Sequence, residues 1–279
     1  MAPLELEARL DNLLATAQEE TAGIDLFSPI PLREECPICL IPLPFSGNEV
    51  TFSICCGINI CNGCACKELL NNFKKGVMDI HEQKCAFCRQ PYPENGVKAT
   101  KKLMKKKNPQ AFMRMAHRYE EGQDVFQSDT RALEMRIFAA ELGEANAYGY
   151  IGQCYRDGIV VEQDMSKALA FYEVAAKKGS YAFHKQLAQF HGRNENVHEC
   201  VRHCKVAASA GDQESMDRLM KMYKNGLLSS KDLSLTLHEF QASVNEMKSK
   251  DRDDFRVMRA TVEGRKDMRS YMQGMVVFL

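Results

Sequence analysis

The chain has 279 residues, more than one ordinary domain of roughly 100 to 200, so two folded units are expected. Lys plus Arg and Asp plus Glu are both 37, and the resulting formal net charge of zero excludes general electrostatic binding to nucleic acid or to an anionic membrane. Twelve cysteines, nine of them in closely spaced positions between Cys36 and Cys88, argue against a disulfide-stapled chain and for metal binding in a reducing compartment.

The N-terminus, MAPLELEARLDN, has acids where a signal peptide has a basic start and an apolar core, and no apolar run approaches the roughly 18 residues that span a bilayer. A cytoplasmic location is expected, with the nucleus left open. Over residues 4–20, Leu6, Leu10, Leu13, Leu14 and Ala17 share one face of an amphipathic helix, so residues 1–25 are expected to pack back on the body. The two prolines of SPIPLREE make residues 26–35 an extended lead.

Residues 36–92 hold nearly all the cysteines and short β-prone runs such as EVTFSI, and form a small loop-rich domain that needs a metal to be stable. Its pairs are Cys36 and Cys39, Cys55 and Cys56, Cys61 and Cys64, and Cys85 and Cys88. Two residues between paired cysteines let both sulfurs reach one ion, and zinc takes four such ligands. Eight ligands make two closed Zn2+ sites with no open position for metal catalysis. Cys66 or His81 could replace one member of the adjacent Cys55-Cys56 pair, but both read as non-ligands, Cys66 because the two-residue knuckle is already complete at Cys64.

Residues 93–108 include KATKKLMKKK, with six lysines and no acid, read as a Lys-rich linker. From Asn108-Pro109, an N-cap with Pro at the first helical position, a pattern recurs. Ala111, Ala116, Tyr119, Gly122, Ala132, Ala139-Ala140 and Gly143 return 36 residues later as Ala147, Gly152, Tyr155, Gly158, Ala168, Ala175-Ala176 and Gly179. A third copy keeps Ala182, Leu187, Phe190, Cys200, Ala207-Ala208 and Gly211 with a shortened loop, and a partial fourth keeps Ser215, Met220, Tyr223 and Gly226. Small residues at fixed places let paired helices approach, while Tyr119, Tyr155, Phe190 and Tyr223 fill the space between pairs. Residues 109–264 are therefore expected to form an α-solenoid of helix-pair repeats with terminal helices, and 265–279 a C-terminal tail.

Two further thiol groupings invite a chemical reading. His198, Cys200, His203 and Cys204 have partly one-faced helical spacing, but the repeat pattern puts Cys200 in the slot of Ala132 and Ala168, where a small buried side chain is wanted. Cys154 has no base near it in sequence and reads as an inert buried thiol.

The repeats resemble the Sel-one-like repeat, a relative of the tetratricopeptide repeat, over about residues 109–228. The cysteine pattern resembles a RING domain, with Ala86 where a Pro is usual and no Trp in the chain. That resemblance assigns Cys36, Cys39, Cys61 and Cys64 to the first zinc and Cys55, Cys56, Cys85 and Cys88 to the second. The combination, read through LFSPIPLREECPICLIPLP, CCGINICNGC and CAFCRQPYP, resembles a multi-member family of RING plus Sel-one-like proteins in single-celled algae. The fold class it implies is mostly α: a small zinc-bound RING domain of short strands and one helix, then the solenoid.

By that resemblance the chain is a ubiquitin-protein ligase that acts without a covalent intermediate, with a ubiquitin-conjugating enzyme, ubiquitin and a protein substrate or adaptor as partners. Ile38 and Pro91 match the apolar contact points for the conjugating enzyme, Leu70 and Phe73 lie in the helix expected to complete the groove, and Arg89 matches the basic residue that bridges conjugating enzyme and ubiquitin. The reading from another class is a zinc-stabilised interaction scaffold without catalysis.

Overall fold

The computed structural model describes residues 3–29, 34–44, 49–77, 79 and 82–263. The C-terminal tail at 265–279 and His81 lie outside the described residues. Twelve helices and one two-stranded sheet are described, and no helix among them is long and apolar enough to cross a membrane. The chain divides into two compact units, one of residues 1–31 and 107–243 and the other of residues 32–106 and 244–279.

The first unit is the solenoid. Its helices are α1 (Pro3–Glu20), α4 (Pro109–Glu121), α5 (Asp129–Glu141), α6 (Ala145–Asp157), α7 (Met165–Lys177), α8 (Tyr181–Arg193), α9 (Val197–Ser209), α10 (Gln213–Lys224) and most of α11 (Ser230–Glu246). The pairs α4/α5, α6/α7 and α8/α9 pack internally, and α5/α6, α7/α8 and α9/α10 join them in series. Several starts are capped alike: the Asn108 side chain accepts from the Ala111 N–H, Ser128 from Arg131, Asp164 from Lys167 and Asp212 from Ser215, whereas Ser180 before α8 makes no such bond. Gly122 and Gly158 end α4 and α6 at φ 68° and 69°, the left-handed turn that a non-glycine residue resists.

Close helix approach explains the small residues. A Cβ on Gly152 of α6 would lie 2.9 Å from the Ala168 carbonyl oxygen of α7 and 2.8 Å from the Tyr172 ring. The core they permit runs through Ile137, Ile151, Tyr155, Phe171 and Leu187, all nearly inaccessible. Helix α1 adds Leu6, Leu10, Leu13 and Ala17 to this core and packs on α5 and α7, with the Glu7 carboxylate accepting from the Tyr155 hydroxyl at 2.8 Å. In the third repeat three residues join α8 to α9, where seven join α4 to α5. The 32-residue step is thus a shortened loop with both helices kept.

The repeated aromatic position is filled unevenly. Tyr155 is buried and Tyr119 and Phe190 are half-buried, but Tyr223 is 42% exposed, because α10 lacks a following repeat of the same form to cover it.

In the second unit β1 (Val50–Ser53) and β2 (Ile58–Cys61) pair antiparallel, Val50 opposite Cys61, and α2 (Asn62–Lys74) follows directly. The Lys-rich segment is itself a helix, α3 (Gly96–Lys105), capped by Asn95 and burying Thr100 and Leu103. The sequence groups residues up to 264 with the repeats, but α12 (Lys250–Glu263) packs on α2 in this second unit. Its polar sequence carries no repeat signature, and its attachment rests on Arg252 and on Gly63, described below.

Candidate metal centre

Two short segments build matching knuckles. In CPICLIP the Leu40 N–H donates to the Cys36 carbonyl at 2.8 Å and the Cys36 N–H donates to Ile41 O at 3.0 Å. In CAFCRQP the Arg89 N–H donates to Cys85 O at 3.1 Å and the Cys85 N–H to Gln90 O at 2.9 Å. Leu40 and Arg89 take the same left-handed backbone, φ 56° and 61°, which turns each loop so that both sulfurs face one point. Isolated bridges close each knuckle, Glu35 with Pro42 and Lys84 with Pro91.

The hairpin and α2 supply the other four sulfurs. Cys55 and Cys56 sit in the turn after β1, where the Gly57 N–H returns to Ser53 O at 2.7 Å. Cys61 ends β2 and Cys64 lies in the first turn of α2, so strand and helix together place that pair. Among the described residues, two groups of side chains can hold a metal ion: Cys36, Cys39, Cys61 and Cys64, and Cys55, Cys56, Cys85 and Cys88. Within each, the four sulfurs lie within 4.8 Å of one another. The sequence-predicted sets are thus brought together, and Cys66 is in neither, its sulfur facing Met258 at 3.9 Å.

The separations test what the groups can hold. Four thiolates about one zinc at about 2.3 Å place neighbouring sulfurs about 3.8 Å apart. Cys39 and Cys61 are 3.9 Å apart, Cys55 and Cys56 4.0 Å, and Cys55 and Cys88 3.5 Å. Disulfides, at about 2.05 Å, are excluded, and all these cysteines are free thiols. The donor set fits Zn2+, a borderline-soft ion that four thiolates hold in a tetrahedral site.

The electrostatics point the same way. The Cys36 thiol is pushed down to about 4, chiefly by its hydrogen bond with Cys61, while that bond and then burial push Cys61 up. Cys85 is likewise pushed down to about 4, chiefly by Cys55, and Cys55 is pushed up by the same bond and by burial. Burial is the first cause that raises Cys56 and Cys64 to about 12. Alone, each group shares protons among crowded sulfurs. A divalent cation removes that conflict by stabilising every thiolate at once.

The remaining predicted residues surround these groups. Ile38 and its knuckle counterpart Phe87 are 40% and 43% exposed, Leu70 on α2 is 45% exposed, and Pro91 is exposed. Phe73 lies in α2, and its side chain is outside the described residues. Two site residues have no signal in the cysteine spacing: Glu68 of α2, which pairs with Arg89 at 2.5 Å, and Arg252 of α12, which donates to Cys39 Sγ at 3.8 Å.

In the solenoid Cys200 is buried in its repeat slot, and a Cβ on Gly192 would meet its sulfur at 3.3 Å. His198 is 80% exposed, apart from the buried His203, Cys200 and Cys204. Cys154 is buried, and burial pushes its thiol up, which suppresses nucleophilicity.

Comparison with known proteins bears on the solenoid. The Sel1 repeat family matches residues 109–144 and 145–180. Residues 109–180 are two Sel1 repeats. Among solved structures the chain is similar to a Sel1 repeat protein from Oxalobacter formigenes, with TM-score 0.48 and 22% identity over 62% of this chain and 73% of that one. It is also similar to a protective antigen present in uropathogenic Escherichia coli strains displaying an SLR fold, with TM-score 0.46 and 23% identity over 67% of this chain and 38% of the other. No curated protein matches the chain. Sel1 repeats mediate protein–protein contacts, so the solenoid indicates an interaction scaffold.

Proposed function

We propose that the chain is a RING-type ubiquitin-protein ligase: its cysteine domain holds two zinc ions and recruits a ubiquitin-charged conjugating enzyme, and its repeats bind a protein substrate or adaptor. The observation that carries the reading is the interleaving of the two sulfur groups, the first and third pairs forming one and the second and fourth the other. Ile38, Leu70 and Pro91 remain exposed on the knuckles and on α2, which leaves them available to a partner.

Zinc here is structural: four thiolates close each site and leave no position for substrate. In the reaction a substrate lysine amine attacks the carbonyl carbon of the thioester that links ubiquitin to the conjugating enzyme. The C–S bond breaks, the isopeptide bond forms, and the enzyme's thiol is released. The chain contributes position, which can supply several kcal/mol of the barrier when reacting groups are held in line. Arg89, 62% exposed at its side chain, offers guanidinium donors to the closed arrangement.

A non-enzymatic zinc scaffold is the second reading, favoured by the engagement of Arg89 with Glu68, which takes one of its donors. The deciding experiment is autoubiquitination by the full chain against a panel of conjugating enzymes. Ubiquitin chains with at least one of them support the ligase, and none with any, from a zinc-loaded chain, supports the scaffold.

A further inference from the structure

We infer that α12 locks the first metal site: Arg252 supplies the buried counter-charge to the Cys36, Cys39, Cys61 and Cys64 group, so that metal there and docking of residues 250–263 stabilise each other. The inference rests on the zinc reading above and adds a coupling to it.

Arg252 is 3% exposed. Its Nη1 donates to Pro42 O at 2.8 Å and Met247 O at 3.0 Å, and its Nη2 donates to Ile41 O at 3.1 Å and to Cys39 Sγ at 3.8 Å. Its Nε is buried without a partner. Among the described residues no carboxylate pairs with this guanidinium. A buried cation held by three carbonyls and one sulfur, with no carboxylate, is costly, because neutral groups do not replace its lost hydration and counter-ion. A zinc ion held by these four thiolates would be net negative and would supply the counter-charge that the guanidinium lacks. Ile41 and Pro42 directly follow the first knuckle, so the same side chain that faces the sulfur also fixes the loop that aims it.

The fit of the two helices supports the docking independently. Gly63, between Cys61 and Cys64, lies against the start of α12: a Cβ there would be 2.7 Å from the Arg252 nitrogen and 2.7 Å from the Asp251 carbonyl carbon. Lys67 pairs with Asp251 at 2.9 Å and Arg256 with Glu49 at 2.7 Å, but exposed pairs of this kind contribute little. The second sulfur group has no equivalent, since among the described residues no Lys or Arg donates to Cys55, Cys56, Cys85 or Cys88. The dependence on α12 is therefore specific to one site, which provides an internal control. Coupling of this kind is reciprocal: whatever α12 adds to metal retention, metal adds to α12 docking.

The test is N-ethylmaleimide alkylation of the full, zinc-loaded chain in a chelator, read cysteine by cysteine by mass spectrometry. Arg252→Ala is expected to speed modification of Cys36, Cys39, Cys61 and Cys64 by about tenfold or more, as loss of an outer-shell partner commonly does to metal affinity, and to leave the other four unchanged. Gly63→Ala, which keeps Arg252 but displaces α12, is expected to do the same. Stripping zinc from the wild type should speed hydrogen exchange over residues 250–259. Unchanged rates in both variants, or equal acceleration of both groups, would overturn the coupling while leaving the zinc reading intact. A chain that purifies without zinc would overturn both.

Discussion

Glu68 of α2 accepts a hydrogen bond from the Arg89 guanidinium at 2.5 Å, tying the helix to the residue that follows the last cysteine. Arg89 takes a left-handed backbone, φ 61°, so its side chain leaves the knuckle in a direction that the turn sets and Glu68 then holds. With Arg89 mostly exposed, the pair adds at most about 1 kcal/mol to stability. Its larger effect is to restrict a flexible side chain, and ordering one such chain is worth about 0.5 to 1.5 kcal/mol in a complex. Glu68→Ala should therefore slow ubiquitin discharge about two- to tenfold with little change in melting temperature. Arg89→Ala should slow it further while sparing binding to the uncharged conjugating enzyme. Single-turnover discharge and calorimetric binding measure the two; equal rates for Glu68→Ala and wild type would show that the pair has no part in positioning.

Chelation should separate the two units. Structural zinc contributes roughly 10 to 16 kcal/mol of apparent binding energy, which matches or exceeds the stability of a small domain. Stripped of metal, residues 36–92 should lose their structure while the solenoid keeps its helical signal in circular dichroism. Elemental analysis should return two zinc ions per intact chain; one or none would break the assignment of eight ligands, and Cys56→Ser with both ions retained would remove Cys56 from it.

Repeat packing makes a contrast between neighbouring slots. Ala168 is fully buried with its carbonyl against Gly152, so Ala168→Leu or Gly152→Ala should overpack the α6/α7 contact and cost about 1 to 3 kcal/mol. Cys200 fills the matching position in α9, and Cys200→Ala removes a single buried atom from a slot that holds alanine in the first two repeats, so it should change stability by about 1 kcal/mol or less. Denaturant titration checks all three, and identical midpoints for wild type and Ala168→Leu would show the repeat register to be misplaced.

A buried histidine pair should make the solenoid sensitive to acid. His184 and His203 face each other through Nδ1 atoms 3.0 Å apart, with the His191 and Phe27 rings against His203. Burial pushes His184 down to about 4, and burial followed by His184 pushes His203 down to about 3. Both stay neutral in the fold, whereas the unfolded chain takes up protons near pH 6.5. Stability is then complete above about pH 6.5 and falls as pH drops toward 4, by about 3 kcal/mol for His184 alone. Melting temperature followed over that window should fall more steeply for wild type than for His184→Phe combined with His203→Leu, and parallel curves would contradict the assignment.

The parts of this structure that sequence reading reaches are those governed by short spacings. The 36-residue recurrence from Ala111 to Ala147 and from Gly122 to Gly158 places two repeats, because each helix pair needs the same turn and the same small residues for close approach. The cysteine pairs are legible for the same reason, and the shared C-x-x-C-x-x-P of residues 36–42 and 85–91 already spells two equal knuckles. The attachment of α12 is not legible, since Arg252 meets Pro42 and Cys39 more than two hundred positions away, and no periodicity links them. Gly63 was the available signal: a glycine in the first turn of a helix needs a reason, and here the reason is another backbone. Glu68 carried no mark that set it apart from any exposed helical acid. The Lys-rich segment was hidden by its charge, though Asn95 caps it and Leu103 anchors it.

The measurement that bears most directly on the central claim is discharge of ubiquitin from charged conjugating enzymes by the zinc-loaded full chain, wild type against Ile38→Ala. Ile38 lies between two ligands of the first group without being one, and its side chain stays 40% exposed. A small apolar contact concentrates its energy in a few central side chains, so truncating one should remove most of a weak affinity. Wild type should discharge at least one conjugating enzyme, and Ile38→Ala should lose that discharge with both zinc ions still bound. A zinc-loaded wild type that discharges none of them would contradict the ligase and leave the scaffold, and full activity of Ile38→Ala would contradict the assignment of the contact surface.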